Sequence, residues 1–320
     1  MVIKKFLFFA LICSLPFSLF AKDYKASLFG INSDGVTLNT KSIQYAIDFI
    51  SAKGGGRLVF YVGRYVTGSI YLKSNVTIRL EEGAVLLGSL NPFDYDKNTW
   101  TAMIFAKDQT NVGITGKGII DGRGQQVALN VVTNIEKGLL EDSYKNGRPS
   151  ETNRPVNIYL RDCRDIDIHG ITLRNSASWN QIYDQCEDLT VDSVTVDNTV
   201  YWNEDGVDIL NCKNVVVSNC YIDAADDGIC LKSFDSTRIC KNVLIHNNKI
   251  RTSANGIKFG TASLGGFEDI RIINNLVFDT YRSAVALEAV DGGYIKNIEI
   301  DSLRSVNTGN LIFLRTGKRW

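Results

Sequence analysis

The chain has 320 residues, 35 basic and 35 acidic side chains, two histidines and a 44% hydrophobic composition. A balanced charge with no basic block excludes binding of nucleic acid by electrostatic attraction. About 300 residues of this composition can bury a sizeable core, and no Pro/Ser-rich linker splits them, so one elongated domain is the simplest count.

In chain order, Met1-Val2-Ile3-Lys4-Lys5 precedes an apolar run from Phe6 to Phe20, which ends at Ala21 before Lys22-Asp23. That is the pattern of a signal peptide over residues 1–21. The run is short for a membrane span, contains Pro16 and has no second hydrophobic segment behind it. Residues 22–320 are therefore expected to form one exported domain, extracellular or periplasmic, without a membrane span. Lys4 and Lys5 leave with the leader and no acid does, so the exported chain is slightly acidic.

Between Thr40 and Ala52, Ile43, Ala46, Ile47 and Ile50 follow helical spacing behind a Thr start and ahead of the stop Gly54-Gly55-Gly56. The chain then turns repetitive. A polar residue followed by apolar positions two apart recurs at Asn75-Val76-Thr77-Ile78 and Asn111-Val112-Gly113-Ile114. It continues through anchors Ile166, Leu189, Val215, Val243, Ile270 and Ile298, which are 23, 26, 28, 27 and 28 residues apart. Alternation over four or five residues, broken by Asn, Gly, Ser and Asp, means short strands and turns. Such a unit cannot bury its own apolar face, so neighbouring units must stack into a parallel β-helix, with the helix at Thr40–Ala52 covering its N-terminal end.

Two further columns share this register. Three residues before the anchors stand Cys163, Cys186, Cys212 and Cys240, then Phe267. Four after them stand Gly170, Ser193, Asn219, Asn247, Asn274 and Ser302. Stacked residues on adjacent coils sit about 4.8 Å apart, so the cysteines are expected as an apolar stack; with Cys220 and Cys230 they make an even six in an oxidising compartment, which keeps disulfides open. Zinc is disfavoured because no Cys-x-x-Cys pair is present. Glu141 to Arg154 reads as a long loop forming a wall of a binding face. Asn310 to Arg315 reads as one more strand, after which the array stops without a polar cap, as expected of a shortened array or of one completed by a partner.

Three coils carry related strand starts: Asp205-Gly206-Val207-Asp208, Asp227-Gly228-Ile229-Cys230 and Asn255-Gly256-Ile257-Lys258. Aligning the glycines stacks Asp205, Asp227 and Asn255, with Asp226 beside Asp227. An isolated Asp-Gly is ordinarily a turn. Stacked in register, however, these acids crowd like charges, and one of them should stay protonated beside an ionised neighbour. Glycoside hydrolysis needs that acid and base pair. By strand alternation Asp208, Lys232 and Lys258 leave the outward side, where the lysines could hold an acidic sugar. His169 and His246 fall on turn or outer-face positions, which disfavours a Ser-His-Asp hydrolase.

The run Asn203-Glu204-Asp205-Gly206-Val207-Asp208, with Asp226-Asp227-Gly228 following at a 21-residue step, resembles the signature of glycoside hydrolase family 28, the polygalacturonases and rhamnogalacturonan hydrolases. Asp34-Gly35-Val36-Thr37-Leu38-Asn39-Thr40 and Gly83-Ala84-Val85-Leu86-Leu87-Gly88-Ser89 are similar to that family's first coils. The resemblance implies an all-β fold, a right-handed single-stranded parallel β-helix of the pectin-lyase-like kind. It also implies an inverting hydrolase of pectin-type, galacturonate-containing polysaccharide, with no metal or organic cofactor; a monomer is expected. Asp226 would match the proton donor and Asp205 with Asp227 the pair that activates water. Asn203, Asp208, Lys232, Asn255 and Lys258 are the candidate substrate-binding residues. Three departures stand out: Glu204 replaces a threonine, Ala254-Asn255-Gly256 replaces Gly-His-Gly, and Ala286-Leu287-Glu288 replaces Arg-x-Lys. The subsite that typically grips a galacturonate carboxylate is thus not carried over. A polysaccharide lyase on the same fold, and a non-catalytic carbohydrate-binding β-helix or inactive fragment, are the competing expectations.

Overall fold

The structure, a computed structural model, describes residues 22–143 and 148–319. The expected signal peptide lies outside the described residues. So does part of the loop expected at Glu141–Arg154, whose described end carries a 3-10 turn at Glu151–Asn153.

The strands stack in three parallel ladders, as expected for a parallel β-helix. One ladder holds ten strands, from Asp23–Lys25 to Ile295–Asp301. It pairs the sequence anchors in register: Ile166 with Leu189, Leu189 with Val215, Val215 with Val243, Val243 with Ile270 and Ile270 with Ile298. A second ladder includes Thr172–Arg174, Thr195–Asn198, Tyr221–Ala224 and Lys249–Thr252. The third, the site ladder, runs through Ala102–Lys107, Val156–Arg161, Gln181–Asp184, Val207–Leu210, Ile229–Ser233 and Asn255–Ser263, then into the second half of Leu276–Ala289.

Turn chemistry explains why the coils break where they do. The residue before each anchor, Asp165, Asp188, Asn214, Asn242, Asp269 or Asn297, has φ between 53 and 58°. Asp and Asn tolerate this left-handed conformation because their short polar side chains bond locally. Here they also bond to one another: Asn214 Nδ2 donates to Asp188 Oδ1 at 2.9 Å, and Asn242 Nδ2 to Asn214 Oδ1 at 2.8 Å. The column four residues after each anchor is left-handed for the same reason, from Gly170 to Ser302.

Inside the coils, one continuous apolar core takes the inward side chains of all three ladders, including Ile166, Val191, Val217, Ile209, Leu231 and Phe259. Each such side chain removed from water contributes about 1.5–3 kcal/mol against the entropy of ordering the coil. Cys163, Cys186, Cys212 and Cys240 form the expected buried stack, and all six described cysteines are free thiols. The helix α1 (Thr40–Ala52) buries Ile43, Ala46, Ile47 and Ile50 against the first coils. A second helix, α2 (Gly124–Glu136), was not anticipated; it buries Val127, Ala128 and Val131. Among the described residues no helix is long and apolar enough to cross a membrane.

Candidate active site

The three Asp/Asn-Gly starts open consecutive strands of the site ladder: Val207 pairs with Ile229, and Ile229 with Ile257. Glycine is required at each start by the stacking itself. A Cβ on Gly206 would lie 2.5 Å from the Gly228 carbonyl oxygen, and one on Gly228 would lie 2.6 Å from that of Gly256. The coils can approach only with glycine there, which holds Asp205, Asp227 and Asn255 one above another. The Gly206 amide donates to Asp227 O at 2.9 Å and the Gly228 amide to Asn255 O at 2.8 Å.

Asp205 and Asp227 each bring a carboxylate oxygen within 4.8 Å of the other and of Cys230 Sγ. Both acids are buried, at 3% exposure each. Two cations hold them. Lys232 Nζ donates to Asp205 Oδ2 at 2.8 Å and also to Asp208 Oδ1. Lys258 Nζ donates to Asp227 Oδ2 at 2.9 Å, while the Asn255 amide and Nδ2 donate to Asp227 Oδ1 at 3.1 and 2.8 Å. Burial alone would depress both ammoniums, yet the facing carboxylates outweigh it and keep both firmly charged, Asp205 for Lys232 and Asp227 for Lys258. Burial raises Asp205 well above the usual carboxylate range against the pull of Lys232, and raises Asp208 to about 6.

Asp226 is arranged differently. Its backbone is fixed on both sides, the amide donating to Glu204 O at 3.2 Å and the carbonyl accepting from Thr252 Oγ1. Among the described residues its carboxyl has no ion pair or hydrogen bond. Burial first, then the Asp227 charge, raise its pKa. Its proton is therefore held more tightly than on a free carboxyl, the direction that a general acid calls for.

Of the five other residues singled out in the sequence, Asp208, Lys232, Asn255 and Lys258 bond into the same cluster, and Asn203 bonds to Arg154. Asn203, in a left-handed turn, accepts from Arg154 Nη2 at 2.9 Å through Oδ1. Asn255 faces Asp227. Asp208, Lys232 and Lys258 do leave the outward side of their strands, yet Asp208 is fully buried and both ammoniums end on carboxylates. The outward direction expected of the two lysines is thus observed, with each ammonium bonded to carboxylates of its own site, a pairing the sequence reading did not include.

Several contributors had no signal in the sequence pattern. Trp179 places its ring 4.0 Å from Lys232 Nζ and stacks against Trp100, with ring centroids 4.4 Å apart. These rings cap a second apolar cluster of Phe105, Val156, Tyr159, Ile182 and Leu210, on the outer face of the site ladder before the acidic coils. Arg154 is fully buried and donates to the carbonyls of Pro149, Ala177 and Trp202 at 3.1, 2.9 and 2.7 Å, fixing the turn that leads into Asp205. Glu204 is buried too. Neither of its carboxyl oxygens has a well-formed hydrogen bond, the nearest donors being the Val200 and Tyr201 amides. Neither histidine belongs to the site; His169 Nδ1 lies 3.2 Å from Asp192 at the surface.

The sequence profile of the glycosyl hydrolases family 28 matches residues 62–290, which include every acid described above. The chain belongs to that family. Among family 28 relatives, a Vitis vinifera protein named "Probable polygalacturonase" is 30% identical over 92% of this chain and 63% of its own length. The chain spans less than two thirds of the length of the curated relatives it matches first. A crystal structure of a candidate glycosyl hydrolase from Parabacteroides merdae is 42% identical, with a TM-score of 0.62 over 73% of this chain and 95% of that one. An exopolygalacturonase from Thermotoga maritima, 23% identical, shares the fold with a TM-score of 0.77 over 93% of this chain and 76% of its own.

Proposed function

We propose that this family 28 chain hydrolyses glycosidic bonds in galacturonate-containing pectin polysaccharides or oligosaccharides, with inversion at the anomeric carbon. The observation that carries the reading is the contrast in partners within one cluster: the Asp226 carboxyl is unpaired among the described residues, whereas Lys232 holds Asp205 and Lys258 holds Asp227. Asp226 donates its proton to the glycosidic oxygen as that bond breaks. A water held by Asp227 and Asp205 attacks the anomeric carbon from the opposite face and gives up its proton to the carboxylate pair. The apolar run ahead of Lys22 supports export as the route to such a substrate. A lyase would need a basic side chain in its neutral form to abstract a sugar proton, and the carboxylates that keep Lys232 and Lys258 protonated favour the hydrolase.

Release of reducing ends from polygalacturonate tests the activity, and proton NMR of the first product tests the stereochemistry. The newly formed end should have the anomeric configuration opposite to the bond cleaved. Retention would instead require a covalent intermediate and a nucleophilic carboxylate.

On this reading Lys258 positions Asp227 rather than the substrate. Lys258→Met is expected to lower kcat by roughly 10- to 100-fold, the cost of about one charge-assisted hydrogen bond in a buried site. Because Lys258 lowers the Asp226 pKa, its loss should keep the acid protonated to higher pH and move the alkaline limb of the kcat profile upward. A rise in KM for charged oligomers alone, with kcat and pH profile unchanged, would return Lys258 to substrate binding.

A further inference from the structure

The cations whose charges reach Asp226 are Lys258, Lys232 and Arg282. The two lysines are committed to Asp227, Asp205 and Asp208. Arg282 is exposed, and among the described residues no carboxylate pairs with it. Its position is nonetheless fixed by the fold: its amide donates to Ala254 O at 2.8 Å, and the next residue, Ser283, pairs with Asn255. Arg282 therefore stands in the column of Asp226 and Ala254, two coils on from the proton donor, roughly 10 Å at ordinary strand spacing. Gly309 on the following coil makes room for this turn, since a Cβ there would lie 2.5 Å from Tyr281 O and 2.6 Å from Arg282 O.

Tyr281, the preceding residue, is 81% exposed. It lines an open groove of about 660 Å³ that also includes Thr252 and Ser253. Thr252 donates its hydroxyl to the Asp226 carbonyl, so this groove starts at the turn that carries the acid. Of the other charged groups on its wall, Arg251 pairs with Asp223 at 2.6 Å, and Asp279 accepts from the neutral Asn307 Nδ2 at 2.6 Å. In the site ladder the residue paired with Lys258 on the next coil is Ala286, which does not attract an anion.

We infer that Tyr281 and Arg282 form a sugar-binding subsite for a uronate, the ring stacking on a pyranose face and the guanidinium pairing with its carboxylate. The inference rests on the galacturonate reading above and deepens it by naming where the acidic sugar is held. Arginine suits the task because its planar fork meets a carboxylate through two parallel hydrogen bonds. An exposed tyrosine adds a flat apolar face at small entropic cost, having few rotatable bonds to immobilise.

Binding of tetragalacturonate and of its methyl ester, measured calorimetrically on the slow variant Asp226→Asn, tests the subsite without turnover. Adding Arg282→Met is expected to weaken the charged oligomer about 10- to 100-fold and the ester less than about 3-fold, as for loss of one charge-assisted pair. Arg282→Lys should recover part of the charged binding. Tyr281→Leu should weaken both ligands alike, because stacking is blind to the charge. Equal effects of Arg282→Met on the two ligands, no effect on either, or no binding by the parent would each overturn the inference. Hydrolysis by the unmodified protein is a separate readout. Cleavage that is indifferent to Arg282 sinks the subsite alone, whereas Arg282-dependent binding without release of reducing ends sinks the hydrolase reading and leaves the subsite standing.

Discussion

Replacing Asp226 by asparagine is expected to lower kcat by about 10³- to 10⁴-fold, the upper part of the range for loss of a general acid, while the melting temperature barely moves. Both halves of this outcome come from the same geometry. The carboxyl of Asp226 has no ion pair or hydrogen bond among the described residues, and burial raises its pKa, so the native fold already accommodates a neutral side chain there. Asparagine matches the size and charge of the carboxyl's protonated form but cannot serve as its acid. The turn is held by the backbone, through Glu204 O and Thr252 Oγ1, and survives the change. Steady-state kinetics on polygalacturonate and thermal unfolding read the two effects separately. More than about a tenth of wild-type turnover would remove Asp226 from the role of general acid. A large drop in melting temperature would instead show that the acid serves the fold.

Much of this architecture is legible in the sequence because it is periodic. The anchors from Ile166 to Ile298 recur once per coil, and the Asp and Asn residues ahead of them mark left-handed turns, so register, ladder and core side follow from spacing alone. The Asp-Gly starts are legible for the same reason, since the glycines that let the coils approach also align the acids. The pairing of those acids is harder to read. Alternation tells which side of a strand Lys232 and Lys258 leave from, but not that Asp205, Asp208 and Asp227 wait there on neighbouring coils; the hydrogen bonds that Lys232 donates to Asp205 and Asp208 span 27 and 24 residues, and that from Lys258 to Asp227 spans 31. Trp100, Trp179, Arg154 and α2 lie in excursions from the coils. Outside the repeat no register exists to place them, and they are found only in three dimensions.

Glu204 is the residue whose environment agrees least with its chemistry, and Glu204→Gln is expected to stabilise the protein at alkaline pH. Burial, the first cause, raises the Glu204 pKa from 4.5 to about 7, with Asp197 adding to the shift and the Val200 and Tyr201 amides and Arg154 opposing it. In the folded chain the carboxyl therefore stays protonated between pH 4.5 and about 7, where the unfolded chain has already lost that proton. The native state binds more protons in this window, so stability falls as pH rises through it. Below the unfolded value the effect vanishes, and above the folded value the penalty is complete at about 3 kcal/mol, from roughly 1.4 kcal/mol per pKa unit. Glutamine is neutral at every pH and carries no such penalty. Urea unfolding at pH 4 and pH 8 should give nearly equal stabilities for the two proteins at the lower pH and a variant more stable by up to about 3 kcal/mol at the higher. Since the backbone of residue 204 accepts the Asp226 amide, the variant should also inactivate more slowly at alkaline pH than the native chain. A variant no more stable at pH 8 than at pH 4, relative to the parent, would mean that the Glu204 carboxylate finds compensating donors when it ionises.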